Sequence, residues 1–150
     1  MERAKIRPAS EGDQDAVWQI LRPVIAAGDT FVFDPHAPRE DVLGFWFGPK
    51  AHTYVAESGG QILGAYVLKP NQPGLGAHVA NAGFVVSPLA RGMGLGRAMG
   101  EHCLSEARRL GFRAMQFNYV ASTNDVDVVV AYEVEGYDMH PQSSQAVNHA

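Results

Sequence analysis

Apolar positions along the chain fall into two rhythms, and the switches between them mark out its elements. Val17, Ile20, Leu21, Val24 and Ile25 recur three and four residues apart, as one face of a helix does, and Ser10 to Asp13 just ahead supplies candidate N-caps. Pro23 sits inside that run and is expected to kink the helix or end it early, before Gly28 closes the segment. Ile6-Arg7-Pro8 reads as a short strand ahead of it. A second helical piece starts near Pro38 and puts Val42, Phe45 and Trp46 on one face until Gly48-Pro49 stops it. Thr53 to Glu57 and Ile62 to Lys69 read as strands joined by the turn Ser58-Gly59-Gly60-Gln61. A further strand is expected from about Ala77 to Val86, so the three form an antiparallel meander. Leu95, Ala98, Met99, Cys103, Ala107 and Leu110 make the apolar stripe of the next helix, which ends in Arg108-Arg109 with Gly111 as cap. Ala114 to Val120 is then a strand that can lie parallel to 77–86 through the helical crossover.

The segment 125–135 stays open on propensity. Asp125 and Asp127 suit the first turn of a helix capped by Asn124, whereas Val126, Val128, Val129 and Val130 favour a strand. Beyond Tyr137 the chain is polar and short, so a final strand there is expected to be truncated or unrecognisable. Phe31, Phe33, Phe45 and Trp46 read as core residues, with a wall over a bound substrate as the alternative.

Between the third strand of the meander and the helix lies the stretch on which a functional reading turns, Val86-Ser87-Pro88-Leu89-Ala90-Arg91-Gly92-Met93-Gly94-Leu95-Gly96-Arg97. Alternate glycines let the backbone take positive φ and approach a ligand closely, and the helix behind them offers unpaired N–H groups and a positive dipole end. Such an arrangement cradles an anion. It is not a Walker loop, because Gly96 is followed by Arg97-Ala98 rather than Lys-Ser/Thr. Nor is it a dinucleotide fingerprint, because the third glycine falls at the wrong spacing.

Composition narrows the partners. At 150 residues, 46% hydrophobic and 19% charged, the chain is sized for one globular domain with a core of its own. A net charge of −4 and a pI near 5.8 argue against nucleic acid or an anionic membrane as the main partner. No apolar run approaches the ~20 residues that span a bilayer, and Met1 to Lys5 lead into no signal-peptide core. The single Cys103 excludes an internal disulfide and suits a cytoplasmic setting; its place on the buried stripe marks it as a core residue rather than a nucleophile. The histidines lack metal-ligand spacing, and no metal is expected.

Arg91-Gly92-x-Gly94-x-Gly96 preceded by Val86-Ser87-Pro88 resembles the pyrophosphate loop of the Gcn5-related N-acetyltransferase (GNAT) family, whose signature is Q/R-x-x-G-x-G/A. The resemblance implies an α/β fold with a mixed central β-sheet flanked by helices on both faces. It implies acetyl-CoA as cosubstrate, with its diphosphate on Arg91, Gly92, Met93, Gly94, Leu95, Gly96 and Arg97. In that family the fourth and fifth strands diverge, which would leave main-chain groups of Phe84, Val85 and Val86 free to pair with pantetheine. The family also has a helix after Asn124, commonly N-x-x-A-x-x-L-Y-x-x-x-G-F. Here Asp127 stands where alanine is expected, and one extra residue separates Asn124 from Tyr132. Tyr132 matches the family's general-acid tyrosine when counted back from Gly136 but not when counted forward from Asn124.

No Asp or Glu occurs in 77–86 or 114–120, which removes the usual carboxylate base; His78, Asn81, Gln116, Asn118 and Tyr119 remain. Lys69-Pro70-Asn71-x-Pro73-Gly74, His78-x-x-Asn81-Ala82-Gly83-Phe84, Phe117-Asn118 and Asn124 are similar to the fungal proline-analogue (azetidine-2-carboxylate) acetyltransferases over roughly residues 60 to 124. That similarity implies that Asn81 and Asn118 hold a small amine or amino-acid-like acceptor and that Asn124 lies near acetyl-CoA. The alternative is that these asparagines satisfy strand and cap hydrogen bonds. A homodimer is among the expected states. The rival functions are a GNAT enzyme for another acceptor and an acyl-CoA-binding protein without turnover.

Overall fold

The computed structural model describes residues 4–28, 34–70, 79–90, 93–122, 127–133 and 147–149, with side chains described as far as Met115. Seven strands lie in one sheet in the order of the sequence: β1 (Lys5–Pro8), β2 (His52–Ser58), β3 (Gln61–Pro70), β4 (Val79–Val86), β5 (Ala114–Ser122), β6 (Asp127–Glu133) and β7 (Val147–His149). The helices are α1 (Gln14–Ala26), α2 (Arg39–Trp46) and α3 (Leu95–Arg109). Every neighbouring pair is antiparallel except β4 and β5, which the α3 crossover makes parallel.

Period-two alternation sorts the central strands into two apolar faces. Val55, Ala65, Val67 and Val85 pack with Val17, Leu21, Val24 and Ile25 of α1 and with Val42 and Trp46 of α2. Tyr54, Ala56, Tyr66, Leu68, Ala80, Ala82 and Phe84 alternate to the other side and pack with Leu95, Met99, Cys103, Leu104 and Ala107 of α3. The mixed sheet with helices on both faces is the architecture that the resemblance implied. Each fully buried large side chain, Trp46, Tyr66 and Leu68 among them, adds about 1.5–3 kcal/mol relative to exposure.

A polar clamp fixes the entry to α1. The Asp13 carboxylate accepts the Ser10 N–H at 2.7 Å and the two guanidinium nitrogens of Arg7 at 2.8 and 3.0 Å. Foremost through the Arg7 hydrogen bonds, its pKa is drawn down to about 2.

Three points left open or expected otherwise are resolved. Pro23 does not end α1, which runs on to Ala26, because Val24 and Ile25 are almost fully buried and hold the last turn in place. The Ala27 N–H returns to the Pro23 carbonyl at 3.1 Å before Gly28 closes the helix. After Asn124, residues 127–133 form strand β6 rather than the family's helix, in keeping with the β-branched run Val128-Val129-Val130. The tail's strand is short, the three-residue β7 on the edge of β6, in keeping with the truncation expected there.

Candidate functional site

The glycine-rich turn is built from its first residue onward. Where β4 ends, the buried Ser87 donates its N–H to the Leu63 carbonyl at 2.8 Å, anchoring the strand end to a register shift in the β2–β3 ladder. Its hydroxyl accepts the Leu89 N–H at 3.1 Å and its carbonyl the Ala90 N–H at 3.0 Å, which bends Pro88–Ala90 into one tight helical turn. Gly94 then takes φ 68°, ψ 24°, a left-handed conformation that would cost a residue with a Cβ about 1–2 kcal/mol. Gly96 already lies inside α3 and is not among the glycines with positive φ, so it supplies room rather than a special dihedral.

Intrahelical bonding in α3 begins with the Ala98 N–H to the Gly94 carbonyl at 3.1 Å. The N–H groups of Leu95, Gly96 and Arg97 therefore lack intrahelical acceptors and face the positive end of the helix dipole. A Cβ on Gly94 or Gly96 would meet nothing within 4 Å, so among the described residues nothing crowds the mouth at these positions, and the first turn carries no acidic side chain. Such a mouth can hold an anion with several oxygens. Arg97 is 88% exposed and pairs with Glu101 at 3.3 Å, so its guanidinium runs along the outer surface of α3. Arg91 and Gly92 lie outside the described residues.

How close α3 comes to the sheet is set by Gly64. A Cβ there would stand 3.1 Å from Leu95 Cδ2, 3.1 Å from Met99 Cε and 3.2 Å from the Val85 carbonyl oxygen. A polar chain pins the rest of the helix: the Tyr66 hydroxyl lies 2.6 Å from His102 Nδ1, and the Tyr54 hydroxyl donates to Glu106 at 2.6 Å. Arg109 holds the Glu106 carboxylate down to about pKa 2, helped by the Tyr54 hydroxyl, while burial lowers that of His102. Burial and Glu106 push Tyr54 up to about 12. Cys103 is fully buried, its Sγ 3.4 Å from Met115 Sδ, and burial raises its thiol well above the ordinary range.

The β4–β5 ladder departs from expectation. It remains paired as far as Val86↔Ser122, so Phe84, Val85 and Val86 have β3 on one side and β5 on the other, and the divergence expected there is absent. The irregularity is absorbed inside β5: Ala82 pairs with Phe117 and Gly83 with Tyr119, which leaves Asn118 as the extra residue of a bulge. The side chains of Phe84 and Val85 belong to the two cores, so only main-chain groups of this segment could meet a cofactor.

Asn81, half-buried, lies between Lys69 on β3 and Gln116 on β5, with the bulge at Asn118 one to two rungs further along. Tyr132 is on β6 opposite Met115, which is itself opposite Ala80; the helical setting expected for it is not found. Asn81, Asn118 and Tyr132 thus share one region of the sheet, while Asn124 and His78 lie outside the described residues. Lys69 was legible only as part of a motif, yet its Nζ lies 3.8 Å from the centre of the Phe45 ring and donates to the Phe45 carbonyl at 3.4 Å. Ser87 and Gly64 were likewise missed as positioning residues. The glycine left unbranched within the apolar strand β3 was the available signal for Gly64.

Comparison with known proteins agrees with this geometry. The model of the Acetyltransferase (GNAT) family matches residues 18–131. The N-acetyltransferase aca1 of Schizosaccharomyces pombe is 46% identical over 63 residues, which cover 42% of this chain and 30% of that protein. The chain therefore spans less than a third of that relative's length. A solved GCN5-related N-acetyltransferase from Kribbella flavida superposes with a TM-score of 0.72 at 38% identity, over 84% of this chain and 73% of that one. A GNAT superfamily phosphinothricin acetyltransferase from Sinorhizobium meliloti, in complex with AcCoA, has the same fold, with a TM-score of 0.67 at 22% identity over 77% of this chain and 65% of that one.

Proposed function

The chain belongs to the GNAT family of acetyltransferases, and on that premise we propose that it transfers the acetyl group of acetyl-CoA to the nitrogen of a small amine or imino acid by direct attack. The observation that carries the proposal is the open mouth of α3, where Gly94 and three N–H groups without intrahelical acceptors meet at the end of β4. These groups would hold the diphosphate of the donor, with Arg91, Gly92, Met93 and Arg97 around it and Asn124 nearby. Main-chain groups of Phe84, Val85 and Val86 would face the thioester arm only with the β4–β5 pairing opened at this end, since the ladder holds them as it stands.

In the reaction the neutral nitrogen attacks the thioester carbonyl, the C–S bond breaks, and the sulfur leaves with the electron pair while the new amide loses a proton. Asn81 and Asn118 are assigned to the acceptor, each able to accept from its N–H and to donate to a second polar group, so they orient it without acting as strong bases. Tyr132 is assigned the lesser role of proton donor to the thiolate; a thiol pKa of about 8.5 makes that help optional. Acceptors with an ammonium pKa near ~10 would react from their minor neutral form.

A second reading, binding of acyl-CoA without turnover, is favoured by the unbroken pairing of β4 with β5 through Val86. Incubation with acetyl-CoA and a panel of amines, including proline analogues, with thiol release as readout, separates the two. Acceptor-dependent release supports transfer. Tight acetyl-CoA binding with no release for any amine refutes it.

A further inference from the structure

Lys69 lies on the sheet face shared with Ala65 and Val67, the face covered by α1 and α2. It is half-buried, its ammonium resting against the Phe45 ring at 3.8 Å and donating to the Phe45 carbonyl at 3.4 Å, near the C-terminal end of α2. These contacts are favourable but supply no full negative charge. Among the described residues all five ion pairs belong to arginines, Arg7 (twice), Arg39, Arg97 and Arg109, and no carboxylate pairs with Lys69. Burial alone pulls its pKa below the ordinary lysine value, with no charged neighbour opposing it. A partly desolvated cation with no carboxylate partner among the described residues is costly to keep, and an anionic ligand would relieve that cost.

The ladder places the two donors together. Lys69 and Asn81 are directly paired across β3 and β4, so their Cβ atoms are about 4.5–5.5 Å apart and on the same face. With one ammonium hydrogen spent on Phe45, Lys69 keeps two donors, and the Asn81 amide stands directly beside it. We infer that Lys69 is a specificity-determining residue that, together with Asn81, receives the carboxylate of an amino-acid or imino-acid acceptor. The inference rests on the proposed acetyl transfer and on Asn81 lying at its acceptor position. It narrows the acceptor from amines at large to those with a carboxylate next to the nitrogen.

The test compares matched acceptors that differ only in the carboxylate, azetidine-2-carboxylate against azetidine and alanine against ethylamine. They are assayed with wild type, Lys69→Met and Lys69→Arg by thiol release with acetyl-CoA. Wild type is expected to prefer the carboxylate member by at least tenfold in kcat/KM. Lys69→Met should erase that preference through a roughly 10- to 100-fold rise in KM for the carboxylate member, the loss of one charge-assisted contact. KM for the plain amine, affinity for CoA and melting temperature should change little, and Lys69→Arg should keep most of the preference. In the presence of CoA, the calorimetric Kd of the carboxylate acceptor should weaken at least tenfold in Lys69→Met. Equal loss on both members, a fall in kcat alone, or absence of preference in the wild type would overturn the role of Lys69 while leaving acetyl transfer standing. Absence of thiol release with any acceptor would overturn both.

Discussion

Replacing Gly94 by aspartate and, separately, by asparagine isolates the charge at the mouth of α3. The two side chains are nearly equal in shape and both tolerate the left-handed conformation better than most residues, so the backbone cost at φ 68° should be similar for each, about 1 kcal/mol. A Cβ at this position meets nothing within 4 Å, so neither variant should disturb packing. What differs is one negative charge beside the diphosphate. At a separation of about 5 Å, one pair of unit charges repels by about 1 kcal/mol in bulk water and about 3 kcal/mol at the effective dielectric of a protein surface. CoA should therefore bind Gly94→Asp roughly 5- to 150-fold more weakly than Gly94→Asn, and the gap should narrow as salt is raised. Isothermal titration with CoA at two ionic strengths reads the difference, and thermal melts confirm that both variants are folded. Equal affinity for the two variants, or an aspartate variant as tight as wild type, would remove the diphosphate from this mouth.

Three further outcomes are expected. The folded pKa of Asp13 lies below its unfolded value of 3.8, so the Arg7–Asp13 clamp stabilises fully at neutral pH and fades as pH falls towards about 2. Asp13→Asn should cost about 1–2 kcal/mol at pH 7 and much less at pH 2.5, as read from urea midpoints. Gly48→Ala would drive its Cβ to 2.6 Å from the Gly44 carbonyl oxygen and should cost about 1–3 kcal/mol, whereas Gly44→Ala, with nothing within 4 Å, should be neutral or stabilising by up to about 1 kcal/mol; thermal melts of the pair check the contrast. Asn118→Ala should damage acceptor use more than CoA binding, and equal damage to both would count against its proposed role.

Local chemistry was readable from the sequence where it is dictated by one residue type at one spacing. A glycine suits position 94 because its backbone turns left-handed, and the stripe from Leu95 to Ala107 must face the sheet because of its period, so both the mouth and α3 were legible. Pro23 misled because its local cost was overridden by the burial of Val24 and Ile25 behind it. Residues 125–135 carried opposed signals, acidic residues for a helix start against a valine run for a strand, and propensity cannot rank them without the neighbour that β5 provides. Lys69 over Phe45 and Tyr66 against His102 join residues 24 and 36 positions apart, and no period in a sequence reports such meetings. The bulge at Asn118 was hidden for a related reason. One surplus residue changes a ladder only once its partner strand is known.

The absent side chain at Gly64 makes the mouth of α3 answerable to a position on β3. Because Leu95 and Met99 seat against that bare stretch of β3, a Cβ added there would press at 3.1–3.2 Å on both side-chain ends and on the Val85 carbonyl oxygen, so the packing under the start of α3 would have to give. The seat of the helix that carries the mouth is thus adjustable from behind, through packing rather than through the N–H groups themselves.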